Sequence, residues 1–117
     1  MNSYRDLDVY RRSYKLAIKI HQLSSNFPKE LQYDLGDQIR RASRSIPSNI
    51  AEGFGRNKSA KDKINFLNDS LGSNDEVIFN LEFAKDVGLI KPETHKSLLE
   101  EYTICGKQLF NLIKSIK

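Results

Sequence analysis

Tryptophan is absent, cysteine and methionine occur once each, and three prolines and six glycines are all that punctuate 117 residues. A lone Cys105 excludes an internal disulfide and suits a reducing compartment. No apolar run approaches the roughly 18–20 residues that cross a bilayer. The opening Met1-Asn-Ser-Tyr-Arg-Asp-Leu-Asp8 has no apolar core of a secretory signal. The sequence therefore predicts no membrane span and a cytoplasmic location. Strand-like alternation and Asn-Gly or Asp-Gly hairpin signals are missing, and so are repeats and low-complexity tracts.

The usual marks of catalysis are missing too. There is no Gly-x-Ser-x-Gly elbow. Gly53-Phe-Gly55 opens like a phosphate-binding fingerprint, but Lys58 stands where the third glycine belongs, no strand precedes it and no Gly-Lys-Ser follows. It reads as a helix stop. A di-iron bundle needs Glu-x-x-His pairs on facing helices. Neither His21 nor His95 has a glutamate three residues before it, and both read as structural. Cys105, on an apolar seam with Tyr102 and Leu109, reads as a small buried hydrophobe with no evident base. The expectation is no enzyme, no cofactor, no metal and no small-molecule substrate.

What is present is helical periodicity in four segments, with 38% apolar residues to supply one core and one domain over residues 1–117. The first helix is expected from Asp8, as N-cap, to Ser25. Val9, Leu16, Ile20 and Leu23 lie on its apolar face with Tyr10, Tyr14 and Ala17 beside them, and Asn26-Phe-Pro28 ends it. The second is expected from Tyr33 or Asp34 to Glu52, with Leu35, Ile39, Ala42, Ile46 and Ile50 as its stripe. Pro47 falls within that stripe, which predicts one helix kinked there.

The third helix should follow Ser59 as N-cap, with Asp62 three residues on, and reach Asp86 or Val87. Its stripe reads Ile64, Leu67, Leu71, Ile78 and Leu81, widened by Phe66, Val77, Phe83 and Ala84. Gly72 and Ser73 sit inside it, and a close helix–helix approach would offset the cost of the glycine. Gly88 is suited to cap it. Pro92 opens the fourth helix, whose His95, Leu98, Tyr102, Cys105, Leu109, Leu112 and Ile116 step by 3 and 4. Short connections favour an all-α, antiparallel up-down-up-down four-helix bundle. Helices 1, 3 and 4 carry more apolar surface than one seam needs, so the outer flanks suit contact with another copy.

Charge is unevenly spread. Residues 1–63 hold 13 basic and 7 acidic side chains, and residues 64–117 hold 6 and 8. Arg11, Lys15 and Lys19 recur at i, i+4 and i+8 on the first helix, and Arg40 and Arg44 pair on the second. Such a surface could follow a phosphate backbone, or be an ordinary solvated face. Repetition in an oligomer would raise its effective valency. With few exposed aromatics expected nearby, base stacking is not the expected mode. Gln38, Arg41, Ser45, Asn49 and Glu52 form a polar stripe on the second helix. Arg41 could fork onto Glu52 or Glu76 there. The stripe reads either as a ligand or nucleic-acid site or, preferably, as a satisfied polar layer between helices or subunits.

Asp37-Gln-Ile-Arg-Arg-Ala42, Ser45-Ile-Pro-Ser-Asn-Ile-Ala-Glu-Gly53 and Arg56 closely resemble the signature of the bacterial 23S rRNA intervening-sequence proteins. Asp6-Leu-Asp-Val-Tyr10, Phe27-Pro28 and Leu71-Gly-Ser-Asn-Asp-Glu76 extend the resemblance over nearly the whole chain. The resemblance implies the antiparallel four-helix bundle and a ring-shaped homo-oligomer, a pentamer. It implies no enzymatic activity. Gln38, Arg41, Ser45, Asn49, Glu52 and Arg56 become its motif network. Joined to the charge pattern, it gives the expectation of a homopentameric RNA-binding scaffold or adaptor contacting phosphate through Arg11, Lys15, Lys19, Arg40 and Arg44. The alternative is a protein-interaction ring with no nucleic-acid role.

Overall fold

Proline, glycine and one capping box set the helix boundaries. The computed structural model describes residues 3–116. Four long helices run over α1 (Asp8–Ser24), α2 (Asp37–Gly53), α3 (Ala60–Asp86) and α4 (Pro92–Ser115). A short 3₁₀ turn, Tyr4–Asp6, precedes them. No strand occurs among the described residues, so the all-α four-helix expectation holds.

Several boundaries fall where the sequence puts them. Ser59 and Asp62 form a reciprocal box at the start of α3. The Asp62 amide donates to Ser59 Oγ at 3.1 Å and the Ser59 amide donates to Asp62 Oδ2 at 3.2 Å. At its end Gly88 takes φ +83°, and the Leu89 amide reaches back to the Ala84 carbonyl at 2.8 Å, a Schellman closure. Pro92 occupies the first turn of α4. α2 continues through Pro47.

Two boundaries differ. Asp8 is the first helical residue and does not cap; Leu7 stands at the N-cap with no side-chain bond. The Asp8 carboxylate is engaged across the bundle instead. The helical path into α2 also starts earlier than Tyr33. A turn at Lys29–Leu31 follows Pro28 directly, and a π-helical turn over Gln32–Gly36 feeds into α2. Pro28 thus ends one helix and starts the next turn.

Each helix packs on the next in sequence, and α1 also packs on α4. Cross-helix hydrogen bonds run in opposite index order, as antiparallel neighbours require. Ser73 and Ser70 of α3 meet Ser45 and Ile46 of α2, and Gln108 and Glu101 of α4 meet Asp8 and Arg12 of α1.

The core takes Leu16 and Ile20 from α1, Ile39, Ile46 and Ile50 from α2, Leu67, Val77 and Leu81 from α3, and Tyr102, Cys105 and Leu109 from α4. The α3 register departs from expectation. Its buried positions are Leu67, Ser70, Asn74, Val77, Leu81 and Ala84, stepping by 3, 4, 3, 4 and 3, with Asn80 beside them. Leu71 and Ile78 are half-buried and Phe83 is exposed. Ser70 and Asn74 fit because carbonyls of neighbouring helices receive them. Ser70 Oγ donates to the Ile46 carbonyl and Asn74 Nδ2 to the Tyr102 carbonyl, each at 2.9 Å. Gly72 does not mark a close approach. It is exposed, and an added Cβ would meet nothing within 4 Å.

Candidate nucleic-acid interface

The basic residues of α1 sit on its outer edge because the opposite edge supplies Val9, Leu16 and Ile20 to the core. Arg11, Lys15 and Lys19 are exposed and line a shallow groove between α1 and α4 with Asp8, Arg12, Leu16 and Glu101. None of the three makes an ion pair among the described residues. Arg11 Nη1 donates to the Arg5 carbonyl at 3.2 Å, which extends the basic edge toward the 3₁₀ turn.

Arg12, adjacent in sequence, is withdrawn from that edge. Its Nη1 donates to Glu101 Oε1 at 2.8 Å and its Nη2 lies 3.5 Å from Asp8 Oδ2. Gln108 Nε2 donates to the same Asp8 oxygen at 2.6 Å. That amide, together with Arg12, holds the Asp8 carboxyl below the ordinary carboxylate range. Burial alone would lower the Arg12 pKa, but the hydrogen bond and charge of Glu101 outweigh it and raise it. Arg12 therefore ties α1 to α4 and leaves its neighbours free for an outside anion.

The two arginines of α2 have different fates. Arg44 is exposed and borders a second groove of about 360 Å³ between α1 and α2, lined by Tyr10, Tyr14, Ile18, His21 and Pro47 among others. Arg40 turns inward. Its Nη1 donates to Ser24 Oγ at 2.9 Å and Gln32 Oε1 at 3.1 Å, and its Nη2 donates to the Gln32 carbonyl at 2.8 Å. Gln32 Nε2 in turn donates to the Ser24 and Phe27 carbonyls at 2.9 and 2.7 Å. Arg40 is a clamp on the α1–α2 connection. The expectation of Arg40 on a free basic face meets a guanidinium already engaged with three protein oxygens. The π-helical turn matters here, because Gly36 leaves room for it. A Cβ at that position would stand 3.0 Å from Arg40 Nη1.

The polar stripe of α2 divides in the same way. Ser45, Asn49 and Ser73 form the inter-helix layer: Ser73 Oγ donates to Ser45 Oγ at 2.8 Å, and Asn49 Nδ2 donates to both the Ser45 oxygens at 2.9 Å. Gln38 and Arg41 bond within their own helical path, to Asp34 at 3.2 Å and Asp37 at 3.0 Å. Arg41 thus pairs one turn back rather than with Glu52 or Glu76, because the i−4 carboxylate is within reach without crossing to another helix. Glu52 and Arg56 are exposed and border a shallow surface near Gly55 and Lys58. The stripe is one small layer between helices plus a solvated end.

Sequence reasoning placed Tyr10 and Tyr14 beside the core stripe but did not foresee the groove they line. Tyr14 is 52% exposed, Ile18 beside it is 48% exposed, and the Tyr10 and Tyr14 rings lie 5.9 Å apart. Tyr14, with the half-buried Tyr10 behind it, therefore gives Arg44 one exposed aromatic neighbour across this groove. The groove's signal was the spacing Tyr10, Tyr14, Ile18, one turn apart on the flank of the core stripe. His21 is exposed on this groove, while His95 is buried. Cys105 is fully buried, and burial pushes its thiol up to about 12. No cluster of metal-ligating side chains occurs among the described residues. No helix among them is long and apolar enough to cross a membrane.

The family model described as 23S rRNA-intervening sequence protein matches residues 5–111. No curated protein matches. A solved structure of a protein of unknown function from the S23 ribosomal protein family of Bacteroides thetaiotaomicron VPI-5482 is similar throughout. It shares 30% identity over 92% of this chain and 96% of its own, with a TM-score of 0.84.

Proposed function

We propose that this chain, which belongs to the 23S rRNA-intervening sequence protein family, is a non-catalytic, homo-oligomeric scaffold that binds structured RNA through a repeated basic edge. The observation that carries this reading is the set Arg11, Lys15 and Lys19, exposed along one edge of α1 with no carboxylate paired to them among the described residues. Arg44 adds a fourth cation across the flank of the same helix. Arg40 serves the fold. The sequence resemblance supports a pentameric ring, which would present the edge five times and multiply weak phosphate contacts into avid binding.

The test is fluorescence-anisotropy titration against a labelled rRNA hairpin at low and physiological salt, with double-stranded DNA as control. Binding should weaken linearly in log[salt]. Lys15→Gln should reduce the slope by about one unit for each protomer whose Lys15 sits on a phosphate. Absence of binding at low salt, where screening is least, overturns the RNA reading. A protein-interaction ring without nucleic acid is favoured instead by the exposed apolar residues Phe79, Phe83 and Val87. Its mark is partner binding that survives high salt and ignores RNA.

A further inference from the structure

The outer face of α3 carries a ridge with no use inside the molecule. Phe79 is 67% exposed, Phe83 49% and Val87 54%, one turn apart, and the two phenyl rings stack with centroids 6.5 Å apart. Phe side chains offer about 150–250 Å² each, so the ridge presents about 300 Å² of apolar surface. That is the lower end of the largest apolar patch on a typical monomer, a patch that is often functional. The ridge is flanked by exposed acids, Asp75, Glu76, Glu82 and Asp86. Lys85 lies 3.6 Å from Asp86 and is the one cation paired to them among the described residues.

The groove between α1 and α2 has the opposite character. It is concave and lined by Tyr14, Ile18, Ala17 and Pro47, and Arg44 and His21 border it. Its lining is apolar like the ridge, and its border is basic where the ridge's is acidic. The two surfaces cannot meet within one copy. α3 packs on α2 and α4, and its ridge faces outward from that packing.

We propose that the α3 ridge of one copy seats in the α1–α2 groove of the next, a head-to-tail contact that builds the oligomer. The inference rests on the self-association in the reading above and names the surfaces that make it. Two different patches on one chain form a heterologous interface, which closes into a ring when the rotation per step divides a full turn. The apolar ridge supplies the burial, and the acid and base rims fix polarity by penalising ridge-to-ridge or groove-to-groove pairing. Because Arg11, Lys15 and Lys19 face the α4 side of α1, their edge stays open along the assembled copies.

The experiment is light scattering on the full chain and two exposed-face variants, with circular dichroism as the folding control. F79D/F83D removes the ridge, and Y14D/I18D spoils the groove. Wild type should run at a multiple of 13.5 kDa and each variant at 13.5 kDa. An equimolar mixture of the two variants should run at twice the single-chain mass, since one intact ridge then meets one intact groove and the chain of contacts stops. Glu82→Lys with Asp86→Lys, which leaves the aromatics in place, should also dissociate the oligomer. Oligomers that persist in both face variants, or a mixture that stays monomeric, overturn the placement while self-association stands. A monomeric wild type overturns both. Loss of hairpin affinity in Y14D/I18D with unchanged mass assigns the groove to nucleic acid and overturns the inference.

Discussion

Gly72→Ala should stabilise the monomer, and the size of the gain follows from what surrounds the position. Gly72 lies inside α3, far from either cap, and is exposed. A Cβ there would meet nothing within 4 Å, so the substitution has no steric cost and buries nothing. What remains is the helix-interior penalty of glycine, about 1 kcal/mol relative to alanine, most of it in the freedom of the unfolded chain. With a urea m-value of about 2 kcal/mol/M, the midpoint should rise by about half a molar. The measurement is urea unfolding followed by helicity in the F79D/F83D background, where assembly does not add a concentration-dependent term.

Two other glycines make the result diagnostic. Gly88→Ala forces a Cβ into φ +83° and should destabilise by about 1–2 kcal/mol. Gly106→Ala places a Cβ 3.3 Å from Asn74 Nδ2, which donates to the Tyr102 carbonyl. Its propensity gain should be cancelled by displacement of that amide, leaving stability within about 0.5 kcal/mol of the parent. A Gly72→Ala variant that is neutral or less stable would refute the reasoning, because it would mean that something packs on this face or that α3 is not continuous through it.

The remaining predictions concern the clamp, the thiol and the capping carboxylate. Arg40→Ala should cost about 2–3 kcal/mol in thermal or urea unfolding, as charged hydrogen bonds to half-buried oxygens do. Arg40→Lys should recover only part of that, and RNA affinity of the folded fraction should not change. Cys105 should resist thiol reagents in the native protein and react once denaturant opens the bundle; labelling at the native rate of an exposed thiol would contradict its burial. Asp62 is held below its ordinary value of 3.8 first by the Ser59 backbone hydrogen bond and then by the Ser59 hydroxyl. A depressed folded pKa means its contribution is complete above 3.8 and fades as pH falls through the folded value. Asp62→Asn should therefore flatten the acid limb of stability, read from unfolding midpoints between neutral and acid pH.

The helices were legible because their ends are written in local chemistry. Ser59 with Asp62, Gly88 and Pro92 act on the backbone within a turn, and Leu35, Ile39, Ala42, Ile46 and Ile50 keep an uninterrupted stripe. The α3 register was hidden because Ser70 and Asn74 occupy seam positions, and a pattern scan counts them as polar. Their partners are carbonyls of other helices, Ile46 and Tyr102, so their fitness for the core exists only after the bundle has formed. Ser13, Ser24 and Ser43 are hidden for a related reason. Each donates its hydroxyl to the carbonyl three residues back in its own helix and then behaves as a small, satisfied filler.

The site was less legible, and Arg40 and Arg44 show the physical cause. They are one turn apart on the same helix, and sequence spacing puts them on one face. What separates them is the segment before the helix. The turn at Lys29–Leu31 and the π-helical Gln32–Gly36 bring the Gln32 oxygens and Ser24 within reach of Arg40 alone. Arg44, one turn further on, has no such loop opposite it and is left facing the tyrosine groove. Arg11 and Arg12 divide by the same logic, since Glu101 and Asp8 come within ion-pair distance only of the second. A guanidinium's role is thus decided by which carboxylates and carbonyls lie across from it, a property of helix pairing rather than of spacing. Of the cations that spacing groups on α1 and at Arg40 and Arg44, pairing among the described residues therefore leaves Arg11, Lys15, Lys19 and Arg44 without a carboxylate, a distinction that the net charge of +4 does not carry.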